Sequence, residues 1–252
     1  WAFSMPIEKT CIGQTSVCSR LCYGRGIRYR SSGQTEKRER NYRTVVLLLK
    51  LGGPELLAEN LIHLIDLARP IDYLSAKYAG QKTVVPWSLR VHDIGDYPEF
   101  LEYVQAWKLA VAARPHCSFW LYTRSFVLSE SLLELVKLPN CQGFLSVDSE
   151  NYKEGLAVFA AAPDVWKLAL LQEKEEDMLV EAIEAVKSAL ATCASSNSAS
   201  SPSSSPLSTP HLAQTRGVVF PYHHGGRHVK PLEGLSDGRI VCPQILGAYA
   251  LE

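Results

Sequence analysis

Three thiols, Cys11, Cys18 and Cys22, fall within a dozen residues near the start of the chain, while Cys117, Cys141, Cys193 and Cys242 are scattered downstream. The spacing C-x6-C-x3-C is a metal-ligand pattern. Structural zinc sites usually use paired thiols two to four residues apart and a second such pair, and neither occurs here. An iron–sulfur cluster accepts uneven spacing because each thiolate reaches a different corner of the core. The pattern therefore favours a cluster, four-iron (4Fe–4S) in type, over zinc. Gly13 and Gly24 read as giving the loop the backbone freedom to wrap an inorganic centre. The competing reading is three unconnected thiols, since buried cysteines are common.

A four-iron core has four corners, and Cys242 is the expected fourth ligand, followed by Pro243, which stiffens its turn. Cys117 and Cys141 sit at the starts of strand-like runs and Cys193 opens a polar tract, so these three read as packing or surface residues. If Cys242 does not ligate, the open iron is available to the amino and carboxylate groups of S-adenosylmethionine, the basis of a radical-enzyme reading.

What must position these groups is an alternating chain. Strand-like apolar runs occur at 83–93, 117–125, 143–149, 165–171 and 217–223, with helical periodicity at 99–114, 130–138, 152–162 and 175–191. The segment 42–69 reads as two helices, broken at Gly52-Gly53 with Pro54 near the start of the second. Strand and helix in this alternation imply βαβ units and an α/β fold with parallel strands, a partial or closed TIM-like (β/α) barrel forming a single domain over 1–252. The opening WAFSMP is a candidate first strand and RIVCPQ (239–244) a last one. Residues 194–210 are a Ser/Pro-rich, flexible low-complexity insertion.

In such folds ligands gather at the carboxyl ends of the strands. There the sequence places the cysteine trio, HDIGD (92–96), YTRS (122–125), Asp148 and Glu150, HHGGRH (223–228) and Cys242. His92, Asp96, Tyr122 and Arg124 are the candidate catalytic mouth. His92 and Asp96 suit proton transfer or metal ligation, and the Arg124 guanidinium suits a carboxylate or phosphate. Two structural alternatives stand beside this. Asp96 could cap the helix beginning near Pro98, and Arg124 could pair with Asp93, Asp96 or Asp148.

The 26 basic and 26 acidic side chains cancel, which argues against a general nucleic-acid or membrane binder. Residues 1–43 nevertheless carry nine Lys/Arg against three Glu, a net +6. Tyr23, Tyr29 and Tyr42 are interleaved with those arginines, so nucleic acid is a candidate partner of this segment, in a protein with a structural metal site. No apolar run approaches the roughly 20 residues of a membrane helix. The odd, uneven cysteine count implies a reducing, cytoplasmic setting.

The segments FSMPIEKTCIGQTSVCSRLCYG, SLRVHDIGDY with FLEYVQAW, and FWLYTRS resemble the phage and plasmid gene product 88 family over roughly residues 2–126, with VCPQ near the end; that family implies no defined activity. The cysteine loop after a first strand is more distantly similar to radical S-adenosylmethionine barrels. Two departures stand out: C-x6-C-x3-C where that superfamily has C-x3-C-x2-C, and Ile94-Gly95-Asp96 in place of a Gly-Gly-Glu strand end. The expected function is an iron–sulfur protein acting in redox or electron transfer, or in cluster-dependent catalysis. Its partner would be a redox protein or a small-molecule substrate, and the sequence leaves open whether it is an enzyme.

Overall fold

A computed structural model describes residues 2–68, 87–172, 217–223, 226–227 and 230–231. The predicted helix 175–191, the insertion 194–210, and Cys193 and Cys242 lie outside the described residues. In chain order the elements are α1 (Ile7–Thr10), α2 (Ser16–Leu21), two 3-10 turns (Tyr23–Arg25 and Ile27–Tyr29), α3 (Ser32–Ala68), β1 (Trp87–Arg90), α4 (Leu101–Ala112), β2 (Cys117–Thr123), a 3-10 turn (Phe126–Leu128), α5 (Ser129–Val136), β3 (Cys141–Val147), α6 (Tyr152–Ala161), β4 (Trp166–Gln172), β5 (Gly217–His223), β6 (Gly226–Arg227) and β7 (Lys230–Pro231). The fold is mixed α/β with a four-strand parallel sheet. The predicted strands at 117–125, 143–149, 165–171 and 217–223 are all present.

Two compact units divide the chain, Trp1–Gly13 with Cys22–Gly143, and Gln14–Leu21 with Phe144–Glu252. In the first, β1 pairs in parallel with β2, Trp87 opposite Cys117 and Arg90 opposite Trp120. The opening segment contributes a single parallel bridge, Ala2 to Arg90, rather than a full strand. Helix α3 packs on α4, and α4 on α5. The 37 residues of α3 break where the sequence suggests: Gly52 and Gly53 leave helical geometry, Gly53 at φ 68°, and Pro54 restarts the helix where its missing N–H costs nothing. Tyr103, Ala106, Trp107, Ala110 and Val111 form the buried stripe of α4, and Phe119, Leu121, Leu132 and Leu135 are buried in the same unit. The Asn140 side-chain amide donates to the carbonyls of Val111, Arg114 and Cys117, tying the end of α4 to the start of β2.

In the second unit, β4 pairs in parallel with β5, Leu168 opposite Gly217 and Gln172 opposite Pro221. Antiparallel pairing of β5 with β6 and β7 follows. Phe144, Leu145, Val147, Phe159, Trp166 and Leu168 are among its buried apolar groups.

Candidate functional site

The first unit builds its polar region from three short segments at the carboxyl ends of β1 and β2. The opening strand-like stretch is laid along the HDIGD loop by backbone bonds: Phe3 N–H to Arg90 O (3.3 Å), Asp93 N–H to Phe3 O (2.8 Å) and Met5 N–H to Ile94 O (2.8 Å). The Thr10 hydroxyl donates to Pro6 O at 2.8 Å and accepts the Asp96 N–H at 3.1 Å. The Asp96 carboxylate then accepts Tyr97 N–H on Oδ1 (2.8 Å) and Arg124 N–H on Oδ2 (2.7 Å). The Ser125 hydroxyl donates to Tyr97 O at 3.1 Å. Thr10, Asp96 and Arg124 thus fasten the cysteine loop, the HDIGD loop and the YTRS turn together.

Two glycines allow that contact. A side chain at Gly13 would place Cβ 1.8 Å from Arg124 O, and one at Gly24 would lie 3.0–3.3 Å from Ile7 and Ile94. Neither residue has a positive φ. Their role here is close approach rather than the conformational freedom the sequence suggests. The glycine that needs freedom is Gly95, at φ 83° with Met5 O and Thr10 Oγ1 each 2.7 Å from where a Cβ would sit. It turns the loop so that Asp96 points inward.

His92 lies inside this region at 2% exposure. Its Nε2 is 2.8 Å from the Tyr103 hydroxyl, and its ring touches Phe3, Tyr97, Tyr103 and Trp107. Burial, aided by the Arg90 charge, pulls the imidazole down from 6.5 to about 3, so it is neutral. Burial also pushes the Asp96 carboxyl up from 3.8 to about 6, against the N–H groups of Arg124 and Tyr97, which stabilise its charge. Arg124 is buried and Tyr122 half-buried. Neither Asp96 oxygen is engaged by the helix α4 terminus, so Asp96 ties loops and does not cap that helix.

Cys22 leads into Tyr23, whose hydroxyl donates to Asp93 O and accepts from Arg90 Nη2 (2.7 Å). Burial pushes the phenol up to about 12, with the Arg90 charge opposing. Arg90 lies 5.1–5.7 Å from the ring centroids of Tyr23, Trp120 and Tyr122 and 3.5 Å from Asp93 Oδ1. On the other arm Cys11 follows Thr10 and donates its N–H to Ile7 O. Both thiol-bearing residues therefore adjoin a residue bonded to the same four-residue stretch, Asp93–Asp96.

Cys18 belongs to the second unit. There the Thr15 hydroxyl caps α2 by accepting the Cys18 N–H (3.0 Å) and donates to Asp148 Oδ2 (2.6 Å). The Glu150 carboxylate accepts the Ser16 N–H at 2.8 Å and the Ser16 hydroxyl, which hold its pKa below the usual range. Asp148 is fully buried.

A family model described as gene product 88 matches residues 1–217. The chain belongs to the gene product 88 family. No curated protein and no solved structure matches it, and nothing in these comparisons supports the likeness to radical S-adenosylmethionine barrels. The gene product 88 match covers every tie just described. Among the described residues, no three His, Cys, Asp or Glu side chains are gathered closely enough to hold a metal ion, and no helix is long and apolar enough to cross a membrane.

Thr10, Thr15 and Tyr103 carry this arrangement without belonging to any chemical motif, and Tyr23, read from sequence as a base-stacking tyrosine, is bonded instead to the HDIGD loop. Only Thr15 has a local signal, a hydroxyl residue placed just before a short helix.

Proposed function

We propose that this gene product 88 protein binds an iron–sulfur cluster through the segment carrying Cys11, Cys18 and Cys22, with Cys242 as the fourth thiolate and a (β/α) barrel as the complete architecture. The observation that carries the reading is the common anchoring of Cys11 and Cys22. Thr10 and Tyr23, their immediate neighbours, are bonded to Asp96 N–H and Asp93 O, three residues apart. Two thiols eleven positions apart in sequence are tied to one loop. The basic character of residues 1–43 adds support, since positive charge offsets that of clustered thiolates.

The described side chains do not form a ligand shell, and no reaction step is assigned to a cluster. Within the proposal, Asp96, Arg124 and His92 are positioning residues. Their exposures of 6%, 8% and 2% suit support of the loop better than contact with substrate. A bound cluster would supply one-electron redox chemistry.

Anaerobic purification of the full chain tests the reading by its visible spectrum and by iron and sulfide content, with Cys22→Ser and Cys117→Ser compared. Cluster content should fall in Cys22→Ser and persist in Cys117→Ser. Stoichiometric zinc, or equal iron in both variants, overturns it.

A further inference from the structure

The turns at 23–29 lie against a buried cation with no counter-charge. Arg38, on α3, is 7% exposed. Its Nη2 donates to Tyr29 O (3.0 Å) and Thr35 Oγ1 (3.3 Å), both neutral, and its Nη1 is buried without a partner. The following residue, Glu39, is held by Lys9 at 2.6 Å. A buried cation without a counter-charge is costly, and proteins normally pair such groups. The Tyr29 ring meets the Tyr23 ring edge-on at 5.9 Å. Arg90, which lies on Tyr23, is paired with Asp93. Residues 25–43 hold seven Lys/Arg and two Glu, so the neighbourhood has few carboxylates to supply the missing charge. The backbone over Arg38 is the single 3-10 turn Ile27–Tyr29, whose Ile27 is 94% exposed. Such sparse packing lets that turn move aside at small cost while Tyr23 and Gly24 stay anchored.

We propose that Arg38 anchors an oxyanion site of the phosphate class at the Ile27–Tyr29 turn. The guanidinium fork matches a tetrahedral oxyanion through paired N–H donors. The phosphate has two sources, a free ion or a nucleic-acid backbone, and Tyr29 would serve the second by stacking a base. This site is independent of the cluster assignment.

The full chain is titrated with inorganic phosphate at constant ionic strength, following its thermal midpoint, and with a labelled mixed-sequence single-stranded oligonucleotide, following anisotropy. Arg38→Gln is compared with wild type and with Arg30→Gln, an exposed control. Phosphate should raise the midpoint of wild type and Arg30→Gln, with affinity at least about tenfold weaker in Arg38→Gln. Oligonucleotide binding that phosphate competes away and Arg38→Gln weakens assigns the backbone as ligand; a phosphate response alone assigns the free ion. If Arg38→Gln does not fold, Arg38→Lys keeps the charge without the fork and should show the same loss. No response of wild type to either probe, or equal responses in Arg38 variants and wild type, overturns the proposal.

Discussion

The Thr10 hydroxyl accepts the Asp96 backbone N–H at 3.1 Å across 86 residues of chain while donating to Pro6 O. One side chain so closes α1 on itself and docks the cysteine loop on the HDIGD loop that follows β1. Thr10→Val keeps the shape and removes both bonds, leaving a buried N–H unsatisfied. It should destabilise the protein by about 1–3 kcal/mol in denaturant unfolding, while Thr10→Ser should lose less than half of that. Equal effects of the two would mean that the methyl group, not the hydroxyl, matters.

Asp96 and His92 make opposed contributions to stability against pH. The Asp96 carboxyl is raised from 3.8 to about 6 in the fold, so its contribution is complete below pH 3.8 and is lost as pH rises through 6. His92 is lowered from 6.5 to about 3, so its contribution is complete above pH 6.5 and is lost as pH falls toward 3. Between about pH 4 and 6 the two slopes, each about 1.4 kcal/mol per pH unit, cancel. Relative to wild type, Asp96→Asn should gain about 3 kcal/mol of stability from pH 4 to 6, and His92→Gln should lose a similar amount. Parallel stability curves for all three proteins would refute the assignment.

Gly13 and Gly33 make a controlled pair. Alanine at Gly13 meets Arg124 O at 1.8 Å, whereas a Cβ at Gly33 meets nothing within 4 Å. Gly13→Ala should cost about 3 kcal/mol or prevent folding, because backbone must move. Gly33→Ala, inside α3, should stabilise by about 0.5–1 kcal/mol. Thermal unfolding of the two variants distinguishes them.

Much of the fold is legible from local pattern. Apolar runs such as FWLY and LALL mark β2 and β4, and Gly52-Gly53-Pro54 marks the break in α3, because strand burial and helix interruption are local properties. The gathering of HDIGD, YTRS and the cysteine loop at strand ends is likewise implied by the alternation. What sequence hides is long-range. Gly13 is glycine because Arg124, 111 residues away, needs its space, and nothing near Gly13 says so. The burial of His92 against Tyr103 and Trp107 joins the loop after β1 to helix α4, a pairing that no local pattern announces. In sequence the imidazole next to Asp93 looks available for chemistry, and in the fold it is a neutral core group.

The central claim is that the cysteine segment holds an inorganic centre. Iron and acid-labile sulfide, measured per chain on protein purified without oxygen, test it most directly. The account predicts about four of each, with brown colour that vanishes in Cys11→Ser. A colourless, folded wild-type protein that takes up neither iron nor sulfide on anaerobic reconstitution would contradict it.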